Sequence, residues 1–287
     1  IRELSSNHYA ATQLSNSFTE PRYRDGLIYT YDVAGPSFCS LPKYFKSIAY
    51  AHPTDIANGP FQYAHNIKAP FFAFLAQNAE YGAVFNNYMS GYRAGKPSWV
   101  DAGFYPFTER VLSRHEPEKV LLVDVGGGMG HDLAHLRSVL HTANGNGKER
   151  LVLQDQADVI AQVPAKQSFE ATVHDFFTEQ PVKGATAYYL HSVLHDWSDE
   201  DCGRILRQIA GAMERGYSRV LVNELVIPST EAAWSATSMD WLMMALGAVK
   251  ERTETEWRAL IEGAGLKVTG IWTVEQGTES LIEAELA

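Results

Sequence analysis

The sequence predicts an α/β fold: a mostly parallel sheet covered by helices on both faces, with a mainly α-helical part ahead of it. Two observations carry this. From about residue 98 onward, short apolar runs alternate with amphipathic stretches, the pattern of strand–helix–strand units whose strands are buried on both sides. Before that point strand patterning is scarce, and aromatic and small residues recur at helical spacing. With 45% hydrophobic and 11% aromatic residues in 287, the chain has the apolar material for a real core.

The elements follow in order. Phe71-Phe72-Ala73-Phe74-Leu75 and Tyr81-Gly82-Ala83-Val84-Phe85 have helical spacing, broken by Pro53, Pro60 and Pro70. Buried strands are expected over 121–125, 151–153, 187–190 and 220–222, and another ends at Val173-His174-Asp175. Helices are expected over 132–140, 199–213 and 256–263. The stretches 268–274 and 280–286 form a closing pair, the last a candidate for antiparallel pairing. There is no internal repeat, and Gly145-Asn146-Gly147 reads as a polar turn rather than a linker. The expected division is 1–97 and 98–287.

Composition removes several function classes. Lys and Arg total 24 against 34 Asp and Glu, a net charge of −10, so neither nucleic acid nor anionic lipid would be gripped by bulk charge. Cys39 and Cys202 cannot make a disulfide framework and suit a reducing, cytoplasmic compartment. No apolar run approaches the roughly 20 residues that span a bilayer, and no signal peptide is recognisable. The chain opens on Ile1 rather than Met and is expected to be part of a longer product.

Ligands of open parallel sheets bind at the carboxyl ends of the strands, so the turns after the strands matter most. The run Val123-Asp124-Val125-Gly126-Gly127-Gly128-Met129-Gly130 takes a strand into a glycine-rich turn and then a helix. Its spacing is G-x-G-x-G, and the third glycine of a dinucleotide fingerprint would fall on His131. That form is usual in enzymes of S-adenosylmethionine (SAM). Asp155, one strand–helix unit later, is placed to grip ribose hydroxyls, and Asp175 or its neighbours to meet an adenine edge. Each Asp alone is more often a loop residue. Three acidic groups in order after three strands are not.

The fourth strand ends in His191-Ser192-Val193-Leu194-His195-Asp196-Trp197-Ser198-Asp199-Glu200-Asp201-Cys202. Ser198 with Asp201 resembles a capping box, and acids in a first turn suit the helix dipole, so 199–201 reads as capping. His195 then stands just before a helix at the cofactor end of the sheet. A metal reading of His195, Asp196 and Asp199 lacks a second histidine at ligand spacing. Cys202 reads as a buried thiol.

These motifs, with Leu153-Gln154-Asp155-Gln156, Asn223-Glu224-Leu225-Val226-Ile227-Pro228, Lys250-Glu251-Arg252-Thr253 and Phe85-Asn86-Asn87-Tyr88-Met89, occur in the order seen in plant-type and fungal SAM-dependent O-methyltransferases. The chain resembles that family over nearly its whole length. The resemblance implies a Rossmann-like class I methyltransferase sheet, with residues 1–97 the remnant of a winged-helix dimerisation domain. It implies a homodimer, a cytoplasmic secondary-metabolism enzyme, and S-adenosylhomocysteine as product. His195 would be the general base, held by Glu224 and Glu251. The expected cofactor set is Asp124, Gly126, Gly128, Gly130, Asp155, Gln156, Asp175, Phe176 and His191; plant members carry lysine at the position of His191. The expected acceptor set is Phe85, Met89, Asp196, Trp241 and Met244, around a small aromatic or polyketide-derived molecule, although aromatic and Met residues at helical spacing also serve as core.

The chemistry needs these residue types. Methyl transfer from a sulfonium is an in-line displacement, and the acceptor hydroxyl must shed its proton. A phenol of pKa about 10 facing an imidazole of about 6.5 is mismatched by about 5 kcal/mol. Carboxylates beside the imidazole raise its pKa, narrow that gap and fix which nitrogen faces the substrate. No metal is required. Two other classes stay open: a methyltransferase-like pericyclase or dehydratase that holds SAM without using its methyl, which product mass separates, and a regulator that binds SAM or DNA and catalyses nothing, which the catalytic trio and the acidic charge disfavour.

Overall fold

The computed structural model describes residues 1–92, 95–144 and 147–287. Of the polar turn expected at Gly145-Asn146-Gly147, residues 145 and 146 lie outside the described residues. The chain forms two compact units: residues 1–96 with 241–249, and residues 97–240 with 250–287.

The first unit opens with a small antiparallel hairpin, β1 (Arg2–Ser5) and β2 (His8–Ala10), and is otherwise helical. The hairpin escapes sequence patterning because nearly all of it is exposed, so it carries no alternation of apolar and polar residues. The helix Pro21–Ile28 passes through a π turn, Tyr29–Ala34, into Gly35–Ser47. Of the prolines expected as breaks, Pro53 lies in the irregular stretch after Gly35–Ser47, while the other two also open helices: Pro60 is the first residue of Pro60–His65, and Pro70 takes the N-terminal cap position of Phe71–Gln77. A helix start tolerates proline because that N–H has no partner in the helix anyway. Tyr29, Phe61 and Phe71 form the core of this unit with Val84 and Leu246. Asp25, buried on Pro21–Ile28, accepts from Asn87 on Ala79–Tyr92 at 2.6 Å and tethers the two helices.

The second unit holds one mixed sheet built from β3 (Val120–Val125), β4 (Arg150–Asp155), β5 (Glu170–Val173), β6 (Ala187–His191), β7 (Arg219–Ile227), β8 (Arg252–Thr253), β9 (Leu266–Thr273) and β10 (Glu279–Leu286). The order is β5-β4-β3-β6-β7-β10-β9, with β8 added in parallel at the end of β7. Strands β3 to β7 are mutually parallel, and β10 runs antiparallel to both β7 and β9. Central β3 is buried at all six positions, as a strand covered on both faces must be, whereas edge strand β5 is exposed throughout. One core layer gathers Val123, Leu190, Ile205, Leu206 and Trp257; the other gathers Leu122, Leu133, Leu136 and Tyr189.

Helix Asp199–Ala210 ends three residues before the expected 213. Gly211 takes the cap position, and Ala212 and Met213 pack against the core from the following turn. A buried charge in β10 is matched rather than avoided: Glu283, fully buried, accepts from Arg110 Nε and Nη2 (2.8 and 2.6 Å), from Thr269 (2.5 Å) and from Tyr105.

Candidate active site

The glycine turn after β3 is shaped by close approach. Gly126, Gly128 and Gly130 have φ of +74°, +58° and +76°, the left-handed region that side chains disfavour. A Cβ on Gly130 would lie 2.4 Å from the Phe169 ring, and one on Gly127 would lie 2.4 Å from the Asp124 carboxylate. At Gly128 a Cβ would meet nothing within 4 Å, so the middle of the turn faces open space. The turn is pinned to β4: Gly126 N–H donates to Gln154 O (2.8 Å) and Gly128 N–H to the Asp155 carboxylate (2.8 Å). Burial raises the Asp155 pKa, although the Gln156 and Gly128 amides act against it.

Beside this turn lies a small, open cleft lined by Asp155, Gln156, His174, Asp175, Phe176, Phe177 and Trp197. Three of the expected cofactor residues besides Asp155, namely Gln156, Asp175 and Phe176, thus come together there. His174, a neighbour of Asp175, lines it too, and Phe177 and Trp197 join it from outside the expected set; the aromatic pair Phe176-Phe177 soon after the third parallel strand was the available signal. The rings of Phe176 and Phe177 meet Trp197 edge-on at 5.7 and 4.9 Å. The Nε2 atom of His174 is buried with no partner among the described residues, and burial lowers its pKa, leaving a neutral imidazole. A cleft with aromatic walls, a part-buried carboxylate at its rim and an orphaned ring nitrogen suits the stacking and polar edges of an adenosine moiety.

His191, at the end of β6, lies between two carboxylates, Asp132 (Nδ1, 2.7 Å) and Glu279 (Nε2, 3.3 Å). Burial opposes its charged form, but these acids outweigh it and raise its pKa to about 9.

The turn after β6 carries His195. Its Nδ1 lies 2.9 Å from Glu251 and 3.7 Å from Glu224, and its Nε2 lies 3.8 Å from Asp196. Glu224, on β7, also accepts the backbone N–H groups of Val193 (2.9 Å), Leu194 (2.8 Å) and His195 (3.4 Å). Glu251, just before β8, has its own N–H held by Asp240 at 2.9 Å. Burial works against charge on His195, yet Glu224, Asp196 and Glu251 together hold its pKa well above the ordinary imidazole value. Burial likewise lifts Glu224 to about 7 and Asp196 to about 6. With Nδ1–H donated to Glu251, Nε2 is the nitrogen left to receive a proton. The ligand-capable atoms of His195, Glu224 and Glu251 lie within 4.8 Å of one another, but the 2.9 Å contact is that of a charge-assisted hydrogen bond.

Ser198 caps Asp199–Ala210 by accepting the Asp201 N–H at 3.1 Å, but the reciprocal bond runs from its hydroxyl to Asp201, so the box is half formed. Asp199, Glu200 and Asp201 occupy the first turn as expected, and Asp199 also accepts from Arg252 at 2.8 Å. Cys202 is fully buried and its thiol is pushed up to about 12.

Residues 54–267 match the O-methyltransferase domain model. The chain belongs to the O-methyltransferase family. It is 47% identical over 284 residues to O-methyltransferase mpaG of Penicillium brevicompactum, which covers 97% of this chain and 70% of that protein. Among solved structures, LepI in complex with SAM gives a TM-score of 0.87 at 28% identity, over 97% of this chain and 71% of that one. A structure described as a pericyclic reaction enzyme gives 0.87 at 29%, over the same shares.

In this O-methyltransferase the expected acceptor residues other than Asp196 fall in the first unit. Phe85 sits among the Tyr29, Phe71 and Phe72 rings, and Met244 is buried. Met89 and Trp241 are exposed, Trp241 edge-on to Phe45 at 6.4 Å. No described helix is long and apolar enough to cross a membrane.

Proposed function

We propose that this enzyme transfers the methyl group of SAM to a phenolic or enolic hydroxyl of a small aromatic or polyketide-derived metabolite. The observation that carries this is the pairing of His195 Nδ1 with Glu251, which leaves Nε2 as a base in a cluster of three acids. Bound SAM supplies an electrophilic methyl and, after transfer, leaves as S-adenosylhomocysteine. Asp124, Gly126, Gly128 and Gly130 would hold it at the glycine turn, and Asp155, Gln156, Asp175 and Phe176 at the adenosine cleft. His191 would act by its charge, since both its nitrogens face carboxylates. Neutral His195 takes the hydroxyl proton at Nε2, and Glu251 and Glu224 stabilise the imidazolium that results. Phe85, Met89, Asp196, Trp241 and Met244 would contact the acceptor.

The hairpin β1–β2 and the helices that follow it fit the end of a winged-helix dimerisation domain, so we take the protein to be a homodimer, which light scattering tests; two cysteines without a disulfide are the ground for placing it in a reducing, cytoplasmic compartment. A second reading is favoured by the pericyclic neighbour: the same cofactor held but not consumed while a polyketide-derived substrate rearranges.

The deciding experiment incubates the protein with SAM and a panel of phenols, hydroxypyridones and enolic polyketides. S-adenosylhomocysteine release with a methyl-sized mass gain, abolished in His195→Ala and untouched by EDTA, is the expected result. Substrate consumption without that release, dependent on SAM, selects the second reading. Full activity in His195→Ala removes the base, and EDTA sensitivity would make the trio a metal site.

A further inference from the structure

The turn that carries His195 is gripped from two sides by opposite charges. On one side Glu224 collects the N–H groups of Val193, Leu194 and His195. On the other, Arg252 collects carbonyls: Nη1 donates to Leu194 O at 3.0 Å and Nη2 to Trp197 O at 2.8 Å. These two carbonyls flank His195 in the chain. Nε of the same guanidinium donates to Asp199 at 2.8 Å, and its plane lies over the Trp257 ring at 5.1 Å.

Arg252 is 1% exposed, which is costly for a cation. Its only ion-pair partner among the described residues, Asp199, has a side chain that is 59% exposed and so offers weak compensation. The bonds that offset the burial are therefore those to the turn. A planar fork reaches two carbonyls and a carboxylate at once; a point-charge ammonium does not. Glu251 directly precedes Arg252, and the two side chains make separate contacts with the same turn. One dipeptide thus sends a carboxylate to the His195 ring and a guanidinium to the peptide bonds that carry that ring.

We propose that Arg252 is a positioning residue for methyl transfer, one that fixes the His195 turn and so sets the contact between His195 Nδ1 and Glu251. The role rests on His195 being the base. Arg252 itself needs no contact with acceptor or cofactor.

Two rival roles predict different signs. A bare cation beside the turn would lower the proton affinity of His195, so removing it would raise the His195 pKa. A brace for the fold alone would leave that pKa unmoved. Positioning predicts a fall, because the Glu251 contact loosens. The groups that face the ring are Glu224, Glu251 and Asp196, and all remain in the variants.

The test is a pH titration of protein labelled with ¹⁵N-histidine, followed by NMR, with the His195 signal identified by its loss in His195→Gln. Arg252→Gln and Arg252→Lys should both lower the His195 pKa by about one pH unit or more. Asp199→Asn, which spares the carbonyl bonds, should leave it in place. Affinity for S-adenosylhomocysteine, measured by calorimetry, should be unchanged in all three. A rise in Arg252→Gln with no change in Arg252→Lys overturns the proposal in favour of electrostatics, and no change in either overturns it in favour of a brace. Should Arg252→Gln fail to fold, Arg252→Lys decides alone, since it keeps the charge and loses the fork. The readout needs no acceptor, so a His195→Ala enzyme that still methylates would defeat the base separately: a shifted His195 pKa would then report a held ring without a part in transfer.

Discussion

Replacing Glu251 by Gln removes the charge that faces His195 Nδ1 at 2.9 Å and keeps an oxygen able to accept its N–H. The carboxylate has no exposure, so solvent screens little of its effect. An opposite charge this close is worth about 1–3 pKa units to an imidazole, and Glu224 at 3.7 Å remains to hold part of the elevation. With about half of the proton moved in the transition state, that loss adds about 0.7–2 kcal/mol to the barrier, or about 3- to 30-fold in rate. In the proposed mechanism the neutral imidazole is the reacting form, so activity should rise with pH as the imidazolium is lost. The assay is the initial rate of S-adenosylhomocysteine formation across pH 5 to 10 (roughly the span over which an imidazole raised in this way titrates), with any acceptor that the parent enzyme turns over. Two changes are expected together: the rising limb moves to lower pH, and the plateau falls. The limb belongs to the whole cluster of His195, Glu224, Glu251 and Asp196 rather than to one residue. A limb that stays in place, moves upward, or shifts with no loss of plateau rate would refute the reasoning.

Three further outcomes are expected. Gly130→Ala meets both a φ of +76° and the Phe169 ring, so it should cost at least about 1–2 kcal/mol in thermal unfolding and weaken S-adenosylhomocysteine binding; unchanged affinity would separate the turn from the cofactor. His191 has its pKa raised to about 9, so its stabilisation is complete below the unfolded value of 6.5 and is lost as pH rises through 9, a ceiling of about 3 kcal/mol. The melting temperature should therefore fall across that window, and His191→Gln should flatten the fall; parallel curves would assign it elsewhere. Arg110→Ala strands the buried Glu283 and should cost about 3 kcal/mol in urea unfolding, at the low end for such a pair because Arg219 stays 3.5 Å away; a loss under half of that would mean Glu283 takes up a proton at little cost.

The sequence by itself determined the sheet and the local chemistry of its turns. Continuous apolar runs such as that of β3 admit only a strand covered on both faces, and three glycines at alternate positions permit a left-handed turn whatever surrounds them. That Asp155, Gln156, Asp175 and Phe176 would share one cleft was legible because each lies at or just beyond the end of a strand, and the carboxyl ends of parallel strands share one edge of the sheet. Tertiary structure alone decided what meets across distance. Glu224 and Glu251 were named by family resemblance, but that one grips the amides of the turn and the other its imidazole depends on the pairing of β8 with β7. Acidic residues after Ser198 look alike in one dimension, yet among them Asp199 alone meets Arg252, whose place is set by the distant segment that brings it to this turn. The end of Asp199–Ala210 is marked only by Gly211, which the apolar residues beyond it mask, and the membership of 241–249 in the first unit left no mark in the sequence. Both depend on which apolar face is covered by a distant segment, and periodicity records that a face is apolar without recording what covers it.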